Sequence, residues 1–333
     1  MINDTSNGID IQEQSDVRMQ ADHRHGFQSV VPPTSSKPNG WTVLSASYII
    51  KDAFRLHTLL AIGAGLQAIL SAAAPKPWCF LPTAALLVLS PVVTFVQMVR
   101  PLLSIHGKWL THSFLAGVVP GRSTAHLRTK GRLFGGQSAS EGASGQGLVV
   151  FHFGARFNHP LGVLAPGART MTKLFRATLS ALSEDRTAYG LMGGDLFRGG
   201  ASTRVSNDTI LLVLYFRDVE GLQRFAGSAA HREAFQWLRE VTKLGDDGKQ
   251  KYSHLSAFHE TFMVAPGAYE SLYINTAPIL LGNTFTEISQ DDDGEVGEDD
   301  RSGENKLPIW HNSLVDADDN RLQTMKARLK QSL

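Results

Sequence analysis

The chain has 333 residues, 42% of them apolar and 19% charged, enough for one large or two small domains. Its 32 Lys and Arg against 31 Asp and Glu leave it near neutrality, which argues against nucleic acid as a partner. The single cysteine, Cys79, excludes an intramolecular disulfide and a cysteine-based metal site, and fits a reducing compartment.

Residues 1–40 are rich in Ser, Asn, Gln, Asp and Pro, too polar to offset ordering entropy by burial, and are predicted to be disordered. The opening "MINDTSNGIDIQEQSD" lacks the positive-then-apolar order of a signal peptide. Within residues 53–100 stand two uncharged stretches, "HTLLAIGAGLQAILSAAA" and "CFLPTAALLVLSPVVTFVQMV", joined by "PKPW". As helices they would extend roughly 27 and 31 Å, enough for a hydrocarbon layer. Pro82 and Pro91 suit a membrane helix better than a buried soluble one, which is the competing reading. Lys51 and Arg55 precede the pair and Arg100, Lys108, Arg122, Arg128, Lys130 and Arg132 follow it, against Lys76 in the turn. The positive-inside tendency then places both ends in the cytosol, as in an endoplasmic reticulum protein with its main domain facing the cytosol. Gly63 and Gly65 would allow close helix approach.

Residues 101–146 are basic and end in the Gly/Ser run "GGQSASEGASGQG", a flexible linker. Residues 285–333 include "SQDDDGEVGEDDRSGENK" and are predicted to form a solvated acidic tail. Between them, residues 147–284 alternate strands and helices. "GLVVFHFG" reads as a strand, and Met171, Leu174, Phe175, Thr178 and Leu182 recur at helical spacing. "AYGLMGGDLF" and "TILLVLYFRD" read as strands. One helix follows in "VEGLQRFAGSAAHREAFQWLREV", with Ala230, Ala234, Trp237, Leu238 and Val241 on one face. "HETFMVAP" is the fourth strand, paired around a Pro-Gly turn with "YESLYIN". The order βαββαβ predicts an α+β, ferredoxin-like unit with helices on one sheet face. With the first strand beside the fourth, and the Phe-rich faces on the helices, His152, His259 and Tyr215 would share the open face and make a polar-lined pocket.

"RFAGSAAHREAFQW", "HETFMVAPGAYESLYIN" and "FHFGARFNHPLGVLAPG" resemble the fungal antibiotic-biosynthesis-monooxygenase-like family of the fumagillin-pathway type, over about residues 147–284. The resemblance implies a dimeric α/β barrel that oxidises a secondary metabolite, commonly without metal or flavin. The preceding hydrophobic pair also occurs in such proteins. "PILLG" at 278–282 departs from it, because a Gly is expected soon after the Pro.

Ground-state O2 is a triplet, so an enzyme without a cofactor needs an electron-rich substrate such as an enol, phenol or conjugated polyene. The protein then supplies a dry pocket, orientation and a proton acceptor. His259 is the first candidate base and His152 the second, since imidazole titrates near neutrality. Asn275 and Tyr215 are candidates to hydrogen-bond a substrate oxygen, and Met263 and His231 to complete the substrate site. Each has a structural alternative: His231 as a cap, Glu260 turned to the helices to pair with Arg232, Glu270 and Asn275 fixing the turn. The 12 histidines show no H-x-x-x-H spacing, so no metal is expected. "GLMGG" and "FRGGAS" lack the setting of a nucleotide site. The rival readings are a haem enzyme of the aldoxime dehydratase type, with His231 or His259 as axial ligand, and a non-catalytic barrel for a hydrophobic ligand.

Overall fold

The computed structural model describes residues 27, 29–38, 56–76, 78–99, 117–129, 132–133, 148–199, 209–265, 268–288 and 309–332. The chain divides into two compact units, one of residues 45–118 and one of residues 1–44 with 119–333. The linker and the acidic run at 291–300 lie outside the described residues.

The smaller unit holds α1 (Leu56–Ala73) and α2 (Leu81–Val99), with a short 3-10 turn at Trp78–Phe80. Trp78–Val99 is long and apolar enough to cross a membrane by length and composition, whereas the apolar run of the first helix is shorter. Gln67 links the two helices, donating to the Cys79 carbonyl at 3.1 Å and accepting from the Thr83 hydroxyl at 2.6 Å. Gly63 and Gly65 do not mediate the approach, since nothing stands within 4 Å of where a Cβ would sit on either.

The larger unit begins with β1 (Val119–Ala125) and the short β2 (Arg128–Thr129) and β3 (Arg132–Leu133). It continues through β4 (Leu148–Phe157), α3 (Ala168–Glu184), β5 (Leu191–Arg198), β6 (Thr209–Phe216), α4 (Val219–Ala226), α5 (Ala229–Thr242) and β7 (Leu255–Val264). Last come β8 (Tyr273–Thr276), β9 (Phe285–Ile288), β10 (Ile309–Asn312), β11 (Leu314–Asp316) and α6 (Met325–Ser332). The architecture is α+β, with antiparallel pairing throughout the main sheet in the order β5-β6-β4-β7. The first strand of the unit does lie beside the fourth, in continuous register from Leu148↔Val264 to Phe157↔Leu255.

Alternation gives the main sheet two apolar faces. Val149, Phe151 and Ala155 from β4 and Leu212, Leu214 and Phe216 from β6 meet Phe175, Leu179 and Leu182 of α3 and Leu222 and Phe225 of α4. The helical stretch predicted after β6 is broken, because Gly227 ends α4 and Ser228 caps α5 with its side chain on the His231 N–H. The opposite face, expected to be open, is partly covered by this chain's own segments: Ala125, Leu127 and Leu281 pack on Met192, Val213 and Tyr215.

Three sequence expectations fail here because long-range pairing overrides local composition. Tyr273–Thr276 does not pair with β7; it joins β1 in a separate sheet of order β11-β1-β8. The segment 285–333 is not only a solvated tail, since β9 pairs with β10 and β11 pairs with β1. Within residues 1–40, Phe27 is buried against Val315 and Leu322, and Thr34 exchanges backbone hydrogen bonds with Trp310 at 3.0 and 2.8 Å. Arg186, 1% exposed, holds these parts together. Its guanidinium donates to the carbonyls of Leu191, Pro38 and Met192 and lies 5.0 Å over the Trp310 ring.

Candidate active site

Residues directly opposite in an antiparallel ladder share a face, and the β4–β7 register pairs Phe153 with His259 and Phe151 with Thr261. His259 therefore points to the helices. The strand enters with Leu255 buried in the helix-side core, which commits Ala257 and His259 to that side. Phe258, Glu260 and Phe262 take the other. The predicted grouping of His152, His259 and Tyr215 on one face is corrected accordingly, since it is Phe262, with Phe258, that takes the face away from the helices.

Between the sheet and the helices lies a cavity of about 310 Å3. Phe153 and the β7 segment 257–259 form its sheet side. Met171, Leu174, Phe175 and Thr178 come from α3, and His231, Ala234, Phe235, Trp237 and Leu238 from α5. The walls are aromatic and aliphatic. The Thr178 hydroxyl is spent on the Leu174 carbonyl at 2.9 Å and reaches the Ala230 carbonyl at 3.4 Å, tying α3 to α5. That leaves two imidazoles as the ionisable groups lining the cavity, a small polar complement in an apolar concavity of the kind that binds hydrophobic ligands.

The two imidazoles differ. His231 sits in the first turn of α5, where Ser228 accepts its backbone N–H at 3.3 Å. Its ring stacks on Phe235 (6.5 Å, 8°) and meets Phe225 edge-on (5.7 Å, 63°). Burial holds its pKa below the ordinary value of 6.5; a hydrogen bond to the Ala226 backbone opposes the shift and the charge of His259 adds to it. His259 is exposed at the edge of the cavity. Its ring lies 5.7 Å from Phe151.

The other predicted site residues lie elsewhere. His152 faces away from the helices, 3.6 Å from Glu260 and edge-on to Phe262 at 5.2 Å. Glu260 is thus turned from the helices, and its carboxylate lies beside the His152 imidazole rather than pairing with Arg232. Tyr215 is buried in the opposite core beside Leu281, and burial pushes its phenol well up from the usual range. Asn275 takes a left-handed φ of 47° and accepts the Gly121 N–H at 2.9 Å, a turn-fixing contact. Met263 is 77% exposed and lines no part of the cavity. Glu270 pairs with Arg328.

The segment that departs from the resemblance has a structural explanation. Leu280 adopts φ 54°, the left-handed region where a Gly costs least. Asp195 holds it there, accepting the Leu280 N–H and the Asn283 amide, while burial raises the carboxyl's pKa.

Sequence reasoning did not assign Phe235 to the site, and read Thr178 and Trp237 only as helix-face residues. A signal was present: His231, Ala234, Phe235 and Leu238 follow the spacing i, i+3, i+4, i+7, which places the histidine on the face that carries the cavity wall. Among the described residues, no group of three or more His, Cys, Asp and Glu side chains is placed to hold a metal ion.

Comparison with known proteins defines the class. Residues 148–281, which carry the main sheet, α3, α4 and α5 and the cavity, match the family described as monooxygenase af470-like. Monooxygenase af470 of Aspergillus fumigatus is 33% identical over 303 residues, covering 91% of this chain and 97% of that protein. The protein is a monooxygenase, an oxidoreductase. It belongs to the monooxygenase af470-like family. Solved structures with partial likeness include SnoaB, a cofactor-independent oxygenase from Streptomyces nogalater, at 13% identity and TM-score 0.23 over 35% of this chain and 91% of that one. Aldoxime dehydratase OxdRE with butyraldoxime matches at 15% identity and TM-score 0.33, over 49% of this chain and 39% of that one.

Proposed function

We propose that the protein is a membrane-anchored, cofactor-independent monooxygenase that oxidises or oxidatively cleaves a hydrophobic polyketide- or terpenoid-type intermediate of fungal secondary metabolism. The observation that carries this reading is the aromatic-walled cavity whose ionisable lining is the pair His231 and His259. An apolar cavity selects a hydrophobic substrate, and a neutral imidazole accepts a proton without first losing one. Once the substrate is electron-rich, O2 is the oxidant and the substrate supplies the electrons. One oxygen atom enters the product, and the other leaves as water with two substrate hydrogens.

The anchor is Trp78–Val99, alone or paired with α1 as a hairpin in the endoplasmic reticulum membrane, with the cavity-bearing unit in the cytosol. The uncovered part of the sheet face, with Phe258 and Phe262 42% and 48% exposed, is the surface proposed to pair in a homodimer and complete a dimeric barrel.

Purified in detergent, the full chain should be colourless above the ultraviolet and consume O2 only with substrate, with no added reductant. A stoichiometric Soret band lost on His231→Ala or His259→Ala would replace this mechanism with haem chemistry. Tight binding of pathway intermediates without turnover would make the protein a carrier. The anchor predicts resistance to carbonate extraction, and release into the supernatant would refute it.

A further inference from the structure

His259 is the more accessible imidazole, yet the surroundings of His231 are more specific. His231 is set in the first turn of α5 by the Ser228 cap, and its ring meets two others, Phe225 edge-on and Phe235 in a stack. A neutral imidazole carries one N–H and one lone pair, and the lone pair is what accepts a proton. His259 comes from β7, is exposed at the cavity edge and meets the Phe151 ring at 5.7 Å. No other ionisable side chain from α3, α5, β4 or β7 lines the cavity.

We infer that His231 is the group that takes the substrate's proton, and that His259 is the hydrogen-bond donor to the atom that loses it. This rests on the reading of the cavity as the oxidation site and reassigns the base within it. In the step, the substrate O–H or acidic C–H bond breaks, an N–H bond forms on His231, and the electron pair stays on the substrate. The resulting anion is held by the N–H of His259.

The test uses the full chain in detergent and 4-nitrophenol, whose anion is yellow, at a pH below the phenol's own ionisation. Bound to the wild-type protein, the probe should show the anion's absorbance while 15N-histidine spectra show one imidazole becoming imidazolium. His231→Gln should keep binding but lose the anion signal at least about tenfold, the change that one pKa unit of lost anion stabilisation produces. His259→Gln should keep the anion signal and weaken binding. Retained helical circular dichroism and an unchanged elution volume would show that both variants fold.

The reverse pattern, with ionisation lost in His259→Gln and kept in His231→Gln, overturns the assignment and leaves the monooxygenase reading standing. Ionisation unchanged in both variants overturns it equally. Failure of the wild-type protein to bind or ionise the phenol overturns the inference. A haem absorbance band, read before probe is added, instead overturns the proposed function.

Discussion

Ala234 lines the cavity from α5 and is half-buried, so Ala234→Leu adds three carbon atoms to the space a ligand would fill. Burying a methylene-sized group contributes about 0.8 kcal/mol, which gives an upper limit of about 2.4 kcal/mol of added stability. The cavity edge is open where Phe235 and His259 are exposed, so roughly half of that, about 1 kcal/mol, is the expected gain. For a cooperative unit of this size it raises Tm by about 2–4 °C. The same three carbons exclude an equal volume of ligand, which costs about 2 kcal/mol of binding, or roughly 30-fold in Kd. Circular-dichroism melting and a 4-nitrophenol titration on the same detergent-purified samples measure both. Opposite movement of stability and affinity is the signature of a functional cavity. Unchanged affinity with a raised Tm would show that ligands bind elsewhere. A fall in Tm would show that the space cannot accept the side chain, and would refute the cavity as described.

Arg186→Met should lower stability by about 3 kcal/mol in chemical denaturation, because three backbone carbonyls lose a charged donor and two of them, on Leu191 and Met192, are next to buried strand; a change under about 1 kcal/mol would show that water replaces the guanidinium. His231 binds its proton less readily in the folded chain than in the unfolded one, so unfolding takes up a proton between the ordinary value of 6.5 and the lower folded value. Stability should therefore fall as pH drops through that window, and His231→Gln should flatten that part of the slope in melting curves taken against pH. Asn275→Gly should stay within about 1 kcal/mol of the parent and keep activity, whereas Asn275→Val should cost about 1–2 kcal/mol in the left-handed backbone; loss of turnover in a stable Gly variant would instead give Asn275 a role in the site.

The fold class was legible in the sequence because strand and helix periods are local. "LVVFHF" is a short apolar run of β-branched and aromatic residues, "MTKLFRATLSAL" repeats at helical spacing, and the order of the elements limits the topology. The family was legible for the same reason, since its matching segments are short and contiguous. The site was only half legible. His231 and His259 were both candidates, but the face that His259 takes depends on the parity with which β7 meets β4, and a shift by one residue reverses every side chain. Leu255 in the helix-side core decides that parity, and nothing in "HETFMV" states it.

Composition misled most where the partner is distant. The chain after residue 285 and Phe27 near the other end look like solvated termini in isolation. They acquire strands and burial from β1, Trp310 and each other, contacts separated by up to hundreds of residues. Hydrophobic burial has no sequence range, so a polar segment with one well-placed Phe or Trp is ordered by what it meets. Periodicity along the chain thus determined which elements form and to which family they belong. Only the tertiary structure decided which faces meet, and so which two histidines share a cavity, because strand register and helix docking are set by packing between segments rather than within them.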